Sequence, residues 1–147
     1  MRTLILLALM SVPASAQNAL ERRLIEEEPC RGATAELMGA EIGVDRLGAL
    51  DVISSEVLIF EDDLTVFLDT RLTCESPPDS LLTGDATVRI NLVARGDLAT
   101  CETSEAEVTL SEIGGRFGIA IELLADDLED RLEEAVREQI EGLCDDG

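Results

Sequence analysis

Alternation of apolar and polar residues is clearest in the middle of the chain. From Leu64 to Cys74 every second residue is apolar apart from Thr70, and the same period returns from Ala86 to Arg95. Period two is typical of strands with one buried face. With the apolar run Val52–Phe60 and a shorter pattern over Leu37–Val44, these segments predict an antiparallel β-meander, because the links between them are short.

Turn residues divide the rest of this region. Arg46–Gly48 and Gly96–Asp97 predict turns, and a fifth strand is expected from Leu98, through Cys101, toward Leu110. The glycine pair Gly114–Gly115 predicts a hairpin whose second strand is the alternating run Phe117–Leu123. The meander would then have about five to six strands.

Two segments carry helical patterns. A capping pattern at Asn18 and Glu21 predicts a short N-terminal helix that ends at Pro29. A much stronger period of 3.6 residues follows Leu123 and predicts a C-terminal amphipathic helix packed on the sheet. The fold class is therefore α+β. One arc of the last helix, apolar apart from Gln139, comprises Leu124, Leu128, Leu132, Ala135, Val136, Gln139, Ile140 and Leu143.

The first sixteen residues have the pattern of a secretory signal peptide. Arg2 supplies the positive start, Leu4–Val12 the apolar stretch, and Ala14–Ala16 the small-residue cleavage site. The apolar stretch is too short to span a bilayer, so no transmembrane segment is expected. The prediction is a signal peptide over 1–16, a single disulfide-stabilised α+β domain over 17–147, and an exported product, periplasmic or extracellular.

Charge excludes one class of partner. The chain holds 32 acidic residues against 11 basic ones, and its formal charge of −21 becomes −22 when Arg2 leaves with the signal peptide. Nucleic-acid binding requires clustered cations that displace counterions from phosphates, and this chain has the opposite balance. A solvated acidic surface is the simplest interpretation of so many carboxylates.

Four cysteines in a small exported domain predict two disulfides. Cys30, Cys74, Cys101 and Cys144 contain no C-x-x-C pair, and the chain has no His to complete a zinc site. Three connectivities are possible. The nested one, Cys74–Cys101 inside Cys30–Cys144, is favoured, because neighbouring strands would carry the inner pair and both predicted helices end close to an outer cysteine.

Catalytic chemistry finds little support. The chain has neither His nor Lys, so the usual general bases and amine nucleophiles are missing. Ser54, Ser55 and Ser111 have no basic neighbour that would activate them, and the turn Glu61–Asp63 lacks the spacing of a calcium loop. We expect no enzymatic activity, no cofactor and no metal.

One apolar face stands out as a candidate binding surface. The strand Val52–Phe60 is apolar on both faces, so it must be covered on both sides or must bind something. Leu58, Phe60 and Phe67 would form this second face. Two functions fit: a domain that carries an apolar small molecule, or a protein-interaction module such as an inhibitor or envelope assembly factor.

The outward positions of the third and fourth strands hold the main cationic group. Arg71, Arg89 and Arg95 are candidates for a site that binds carboxylate or phosphate. The alternative is that these arginines neutralise neighbouring acidic residues in a strongly acidic chain.

Overall fold

A computed structural model describes Arg22 and residues 25–145, without the side chains of Leu37, Cys144 and Asp145. Within residues 34–145 six strands come first and two helices follow, which confirms the α+β class. The predicted N-terminal helix falls mostly outside the described residues, as does the signal peptide. The elements are β1 Thr34–Leu37, β2 Ala40–Gly43, β3 Arg46–Phe60, β4 Asp63–Glu75, β5 Asp85–Asp97, β6 Glu102–Gly114, α1 Gly118–Leu123 and α2 Ala125–Asp145.

Four long strands form an antiparallel sheet in the order β3-β4-β5-β6, as the meander prediction requires. β4 and β5 pair without a register shift from Asp63 opposite Asp97 to Glu75 opposite Asp85. Leu64, Leu68 and other alternate residues of β4 are buried in the core. We call the face that these residues form the inner face, and the opposite one the outer face.

The segment Leu37–Val44, predicted as one strand, is a separate hairpin. β1 and β2 pair with each other, and Met38 and Gly39 form the turn with φ of 52° and 80°. Two consecutive left-handed residues are typical of the tight turn that joins two twisted strands. Gly39 is therefore a turn residue, and Val44 after the hairpin is buried.

The turns predicted at Arg46–Gly48 and Gly96–Asp97 are wrong, because the first segment begins β3 and the second ends β5. β3 accommodates Gly48 and Ile53 as extra residues, since its register against β4 shifts at both positions. A bulge of this kind adds one unpaired residue to a strand, and the pairing continues on both sides of it. The link between β5 and β6 comes later and includes Cys101, whose φ is 63°.

The strand predicted over Phe117–Leu123 is wrong, since this segment forms the helix α1. Phe117, Ala120 and Ile121 are buried, whereas Ile119 is 46% and Leu123 61% exposed. The amide of Phe117 donates to the carbonyl of Asp85 at 2.9 Å, which fixes the start of α1 beside β5. A seven-residue segment with apolar residues at alternate positions is too short to exclude the helical period, and packing here selects that period.

The amphipathic helix α2 is confirmed. Leu128, Leu132 and Ile140 are buried in the core. Gly96 of β5 leaves the space that Ile140 fills, because a Cβ atom on this glycine would lie 2.8 Å from the Cγ2 of Ile140. Leu143, expected on the same arc, is 61% exposed. The helix therefore covers the β5–β6 side of the inner face.

The nested disulfide connectivity is wrong. Cys30 bonds to Cys74, with 5.6 Å between their Cα atoms, and both residues are 1% exposed. Cys74 lies opposite Ala86 at the start of β5, whereas Cys101 follows the end of that strand. Because about 3.3 Å separates successive residues of a strand, Cys74 and Cys101 are at opposite ends of the sheet. Cys101 is itself disulfide-bonded.

Candidate interaction surface

The sheet has two edges, and α2 covers one of them. The backbone amides of Val108 and Leu110 in β6 donate to the carboxylates of Glu133 and Glu129, at 3.2 and 3.1 Å. Residues four apart on a helix, and residues two apart on a strand, are both separated by about 6–7 Å along the axis of their element. The spacing of Glu129 and Glu133 therefore equals the spacing of the two amides that they accept from. This edge is thus hydrogen-bonded to the helix.

The other edge is β3, which pairs with β4 on one side and, among residues 25–145, with no strand on the other. Its first half carries the bulges at Gly48 and Ile53, and such irregularities protect an edge from pairing with another chain. From Ser54 to Phe60 the register is regular. We call Ser54–Phe60 the open edge.

Large apolar side chains of the open edge are exposed on both faces of the sheet. Leu58 is 49% and Phe60 74% exposed on the outer face, while Val57 is 49% and Ile59 62% exposed on the inner face. Proteins usually protect such an edge with charge, proline or a covering element. Because all four side chains remain accessible, the open edge resembles half of an interface.

The three residues of the predicted binding face, Leu58, Phe60 and Phe67, lie next to one another on the outer face. Phe67 of β4 lies opposite Glu56 and therefore shares the outer face with Leu58 and Phe60. Leu58 lies opposite Thr65, one diagonal step from Phe67, and Phe67 is 37% exposed. The three predicted residues thus lie together, and their role in binding stays a prediction.

On the inner face the helical layer stops short of β3. Ile59 pairs with Leu64 of β4 and Val57 with Val66. Leu64 is 4% exposed, but its neighbour Ile59 is 62% exposed. At the open edge the core therefore ends between β4 and β3, whereas Leu47, Leu50 and Val52 in the first half of β3 pack against it.

Carboxylates surround the apolar part of the open edge. Glu56 belongs to it, and the turn to β4 contains Glu61 and Asp62. On the outer face Asp63 lies opposite Phe60 on one side and Asp97 on the other. The surface is therefore apolar at its centre and acidic at its margin.

Two of the predicted anion-site arginines lie together, each beside acidic partners. Arg71 and Arg89 are directly opposite on β4 and β5. Arg89 donates to both carboxylate oxygens of Asp69, at 2.9 and 2.6 Å, and to Glu112 at 3.3 Å. Glu112 also lies 3.7 Å from Arg71. It occupies a register shift of β6 with φ of 49°, and this irregular backbone directs its carboxylate to both arginines.

Arg95 does not belong to that group. It lies six positions further along β5 than Arg89, about 20 Å along an extended strand, and its partner is Glu105 at 3.4 Å. An anion at any of the three arginines would have to compete with a carboxylate already in place. The geometry gives them a structural role, and anion binding stays a prediction.

Asp69 should make stability depend on pH. Its bidentate hydrogen bonds from Arg89 lower the pKa of Asp69 below the ordinary value of 3.8, and the carboxylates of Asp69 and Glu112 raise the pKa of Arg89. Because the pKa is lower in the folded state than in the unfolded one, the ionised carboxylate stabilises the fold. This contribution is complete at pH values well above 3.8 and is lost as the pH falls through the lowered pKa. Asp69→Asn should therefore lower the melting temperature at pH 7, with a smaller difference at pH 2.

Thermal unfolding followed by circular dichroism at both pH values checks this prediction. Asp79→Asn, in an exposed loop, removes the same charge without touching the arginines and serves as the control. An equal difference from the unsubstituted protein at pH 7 and pH 2 would contradict the assigned role of Asp69.

A cleft of about 330 Å³ lies away from the sheet edge, between the segment after Pro29 and the helices. Ala33, Ile121 and Leu124 supply apolar walls, and Arg131 lies at its margin, where it donates to the carbonyl of Arg31 at 3.1 Å. This volume is at the small end of the range for ligand sites.

Comparison with known proteins places the chain in a family. The family model described as Y4fE matches residues 10–144. The chain belongs to the Y4fE family. No curated protein and no solved structure matches it. In this member of the Y4fE family, no cluster of three or more His, Cys, Asp or Glu able to hold a metal lies among the described residues. Their helices include none long and apolar enough to cross a membrane.

Proposed function

We propose that the chain is an exported, non-enzymatic interaction domain that binds a partner protein through the open edge. The observation that supports this most is the contrast between the two sheet edges. β6 is hydrogen-bonded to Glu129 and Glu133 of α2, while the regular half of β3 is open and exposes Val57 to Phe60. Unpaired strand edges recruit extended segments of other proteins through main-chain hydrogen bonds.

Export is supported by two independent features. Residues 1–16 have the pattern of a signal peptide, and the buried Cys30–Cys74 bond is compatible with an oxidising compartment, periplasmic or extracellular. Processing predicts a mature protein that begins at Gln17. Intact mass spectrometry of the protein from its producing cells tests this, and an unprocessed mass would contradict it.

Site-specific photocrosslinking tests the interaction. A photoreactive residue at Leu58 should give a discrete adduct with another protein in the producing cells, and the same residue at Glu138, exposed on α2, should give none. Val57→Lys should abolish the adduct, because a charged side chain on the edge opposes strand pairing. Since Val57 is 49% exposed, this variant should keep its melting temperature. No adduct at Leu58, or one that persists with Val57→Lys, would contradict the proposal.

The cleft beside Ala33 favours a second candidate, a carrier of an apolar small molecule. Solvent extraction of the purified protein followed by mass spectrometry separates the two functions. A stoichiometric lipid-like molecule would support the carrier, whereas the crosslinked partner without such a molecule supports the interaction domain.

A further inference from the structure

We infer that the partner segment is a basic amphipathic strand, in which aliphatic residues alternate with arginine or lysine and which extends the sheet beyond β3. This inference rests on the proposed function and names the chemistry of the partner. A strand added to an edge places successive side chains on opposite faces of the sheet. The two faces of the open edge therefore set separate requirements for odd and even positions of the partner.

The inner face requires aliphatic side chains. Val57 and Ile59 project there beside Val66 and Leu64 of β4, and the helical layer leaves both accessible. A valine or isoleucine of an added strand would lie directly across from Val57 and Ile59 and bury part of their exposed surface. A charged residue at these positions would be desolvated next to apolar surface, at a cost that no described neighbour offsets.

The outer face requires long cationic side chains. Leu58, Phe60 and Phe67 offer an apolar floor, while Glu56 lies on the edge strand itself and Asp63 lies opposite Phe60. Arginine satisfies both conditions, because its aliphatic stem packs on apolar surface and its guanidinium pairs with carboxylates or lies over an aromatic ring. An acidic side chain in the same place would meet like charge.

Charge also argues against a second copy of this chain as the occupant. Each mature copy carries a formal charge of −22, and edge-to-edge pairing would bring Glu56 and the turn at Glu61 and Asp62 of one copy close to the acidic margin of the other. The negative charge of the domain attracts a basic segment, whereas it would cause two identical copies to repel each other.

Three matched peptides test the inference. Each has valine at alternate positions over about nine residues, long enough to follow the open edge, and the positions between hold arginine, glutamine or glutamate. Binding of each labelled peptide to the mature domain is measured by fluorescence anisotropy. The arginine peptide should bind about tenfold tighter than the glutamine peptide, as two or three exposed ion pairs would give, and the glutamate peptide weakest. The advantage of arginine should shrink as NaCl rises from about 50 to about 500 mM.

Two lysine variants locate the binding site. Val57→Lys should weaken the arginine peptide at least tenfold, while Thr109→Lys, an equal charge change on exposed β6, should weaken it by less than twofold. Equal loss in both variants would mean diffuse attraction to the net charge and would overturn the inference. Equal affinity for the arginine and glutamine peptides would overturn it too, yet a Leu58 adduct in cells would leave the proposed function standing. Self-association that Val57→Lys abolishes, measured by sedimentation, would instead identify a second copy as the occupant.

Discussion

Leu132→Asp is expected to lower the free energy of unfolding by about 3–5 kcal/mol. Leu132 is 7% exposed in the interface between α2 and the sheet. An aspartate there would either bury an unpaired carboxylate or pull α2 away from the sheet, together with Leu128 and Ile140, which lie on the same helix and in the same core. The loss is large against the 5–15 kcal/mol typical of a domain.

Chemical denaturation followed by far-ultraviolet circular dichroism measures this effect, because a chain without Trp or Tyr offers no useful fluorescence signal. Glu134→Asp places the same side chain at an exposed position two residues along α2 and should change stability by less than about 0.5 kcal/mol. If both variants unfold like the unsubstituted protein, α2 does not cover the sheet.

Elements whose pattern admits a single period were predictable from the sequence. β4 and β5 alternate over more than ten residues, and α2 keeps one apolar arc through five turns. Such long patterns leave only one face to bury, so local sequence and tertiary packing agree. The limits of these elements shifted by a few residues, since Arg46–Gly48 and Gly96–Asp97 continue strands.

Short segments were decided by tertiary contacts that the sequence does not display. Phe117–Leu123 is apolar at both strand and helix spacing, and its burial between β5 and α2 selects the helix. Cys74 bonds to Cys30 and not to Cys101, because the register of the sheet places Cys74 and Cys101 at opposite ends. Pairings of this kind depend on strand direction and length, which cysteine spacing does not encode.

The candidate surface was half predictable. The sequence indicates that Leu58, Phe60 and Phe67 share a face, because alternation follows from strand geometry. It does not indicate that β3 is an edge strand, since strand order depends on where the chain turns and on what the helices cover. That Val57 and Ile59 add to the exposed apolar surface follows only from the position of β3 at the edge of the sheet. The same holds for the bonds from β6 to Glu129 and Glu133, whose spacing of four is common on any acidic helix.

Loss of the Cys30–Cys74 bond should be the second large effect. The bond joins residues 44 apart in sequence, and closing a loop of that size restricts the unfolded chain by about 4 kcal/mol. The double variant Cys30→Ala with Cys74→Ala should therefore unfold at correspondingly lower denaturant. Double replacement leaves no unpaired thiol at these two buried positions, so the measured difference reports the missing bond and the small loss of packing around it.

Reduction provides the control for this prediction. Dithiothreitol should destabilise the unsubstituted protein more than it destabilises the double variant, because the variant retains only the bond of Cys101. A loss below about 1 kcal/mol in the double variant would contradict the prediction, since closing a loop of this length should contribute several times more. Cys74 faces Leu47, in the bulged half of β3, whereas the open edge begins seven residues later. Breaking the bond should therefore loosen the segment around Cys30 and leave crosslinking through Leu58 intact under conditions where the variant is folded.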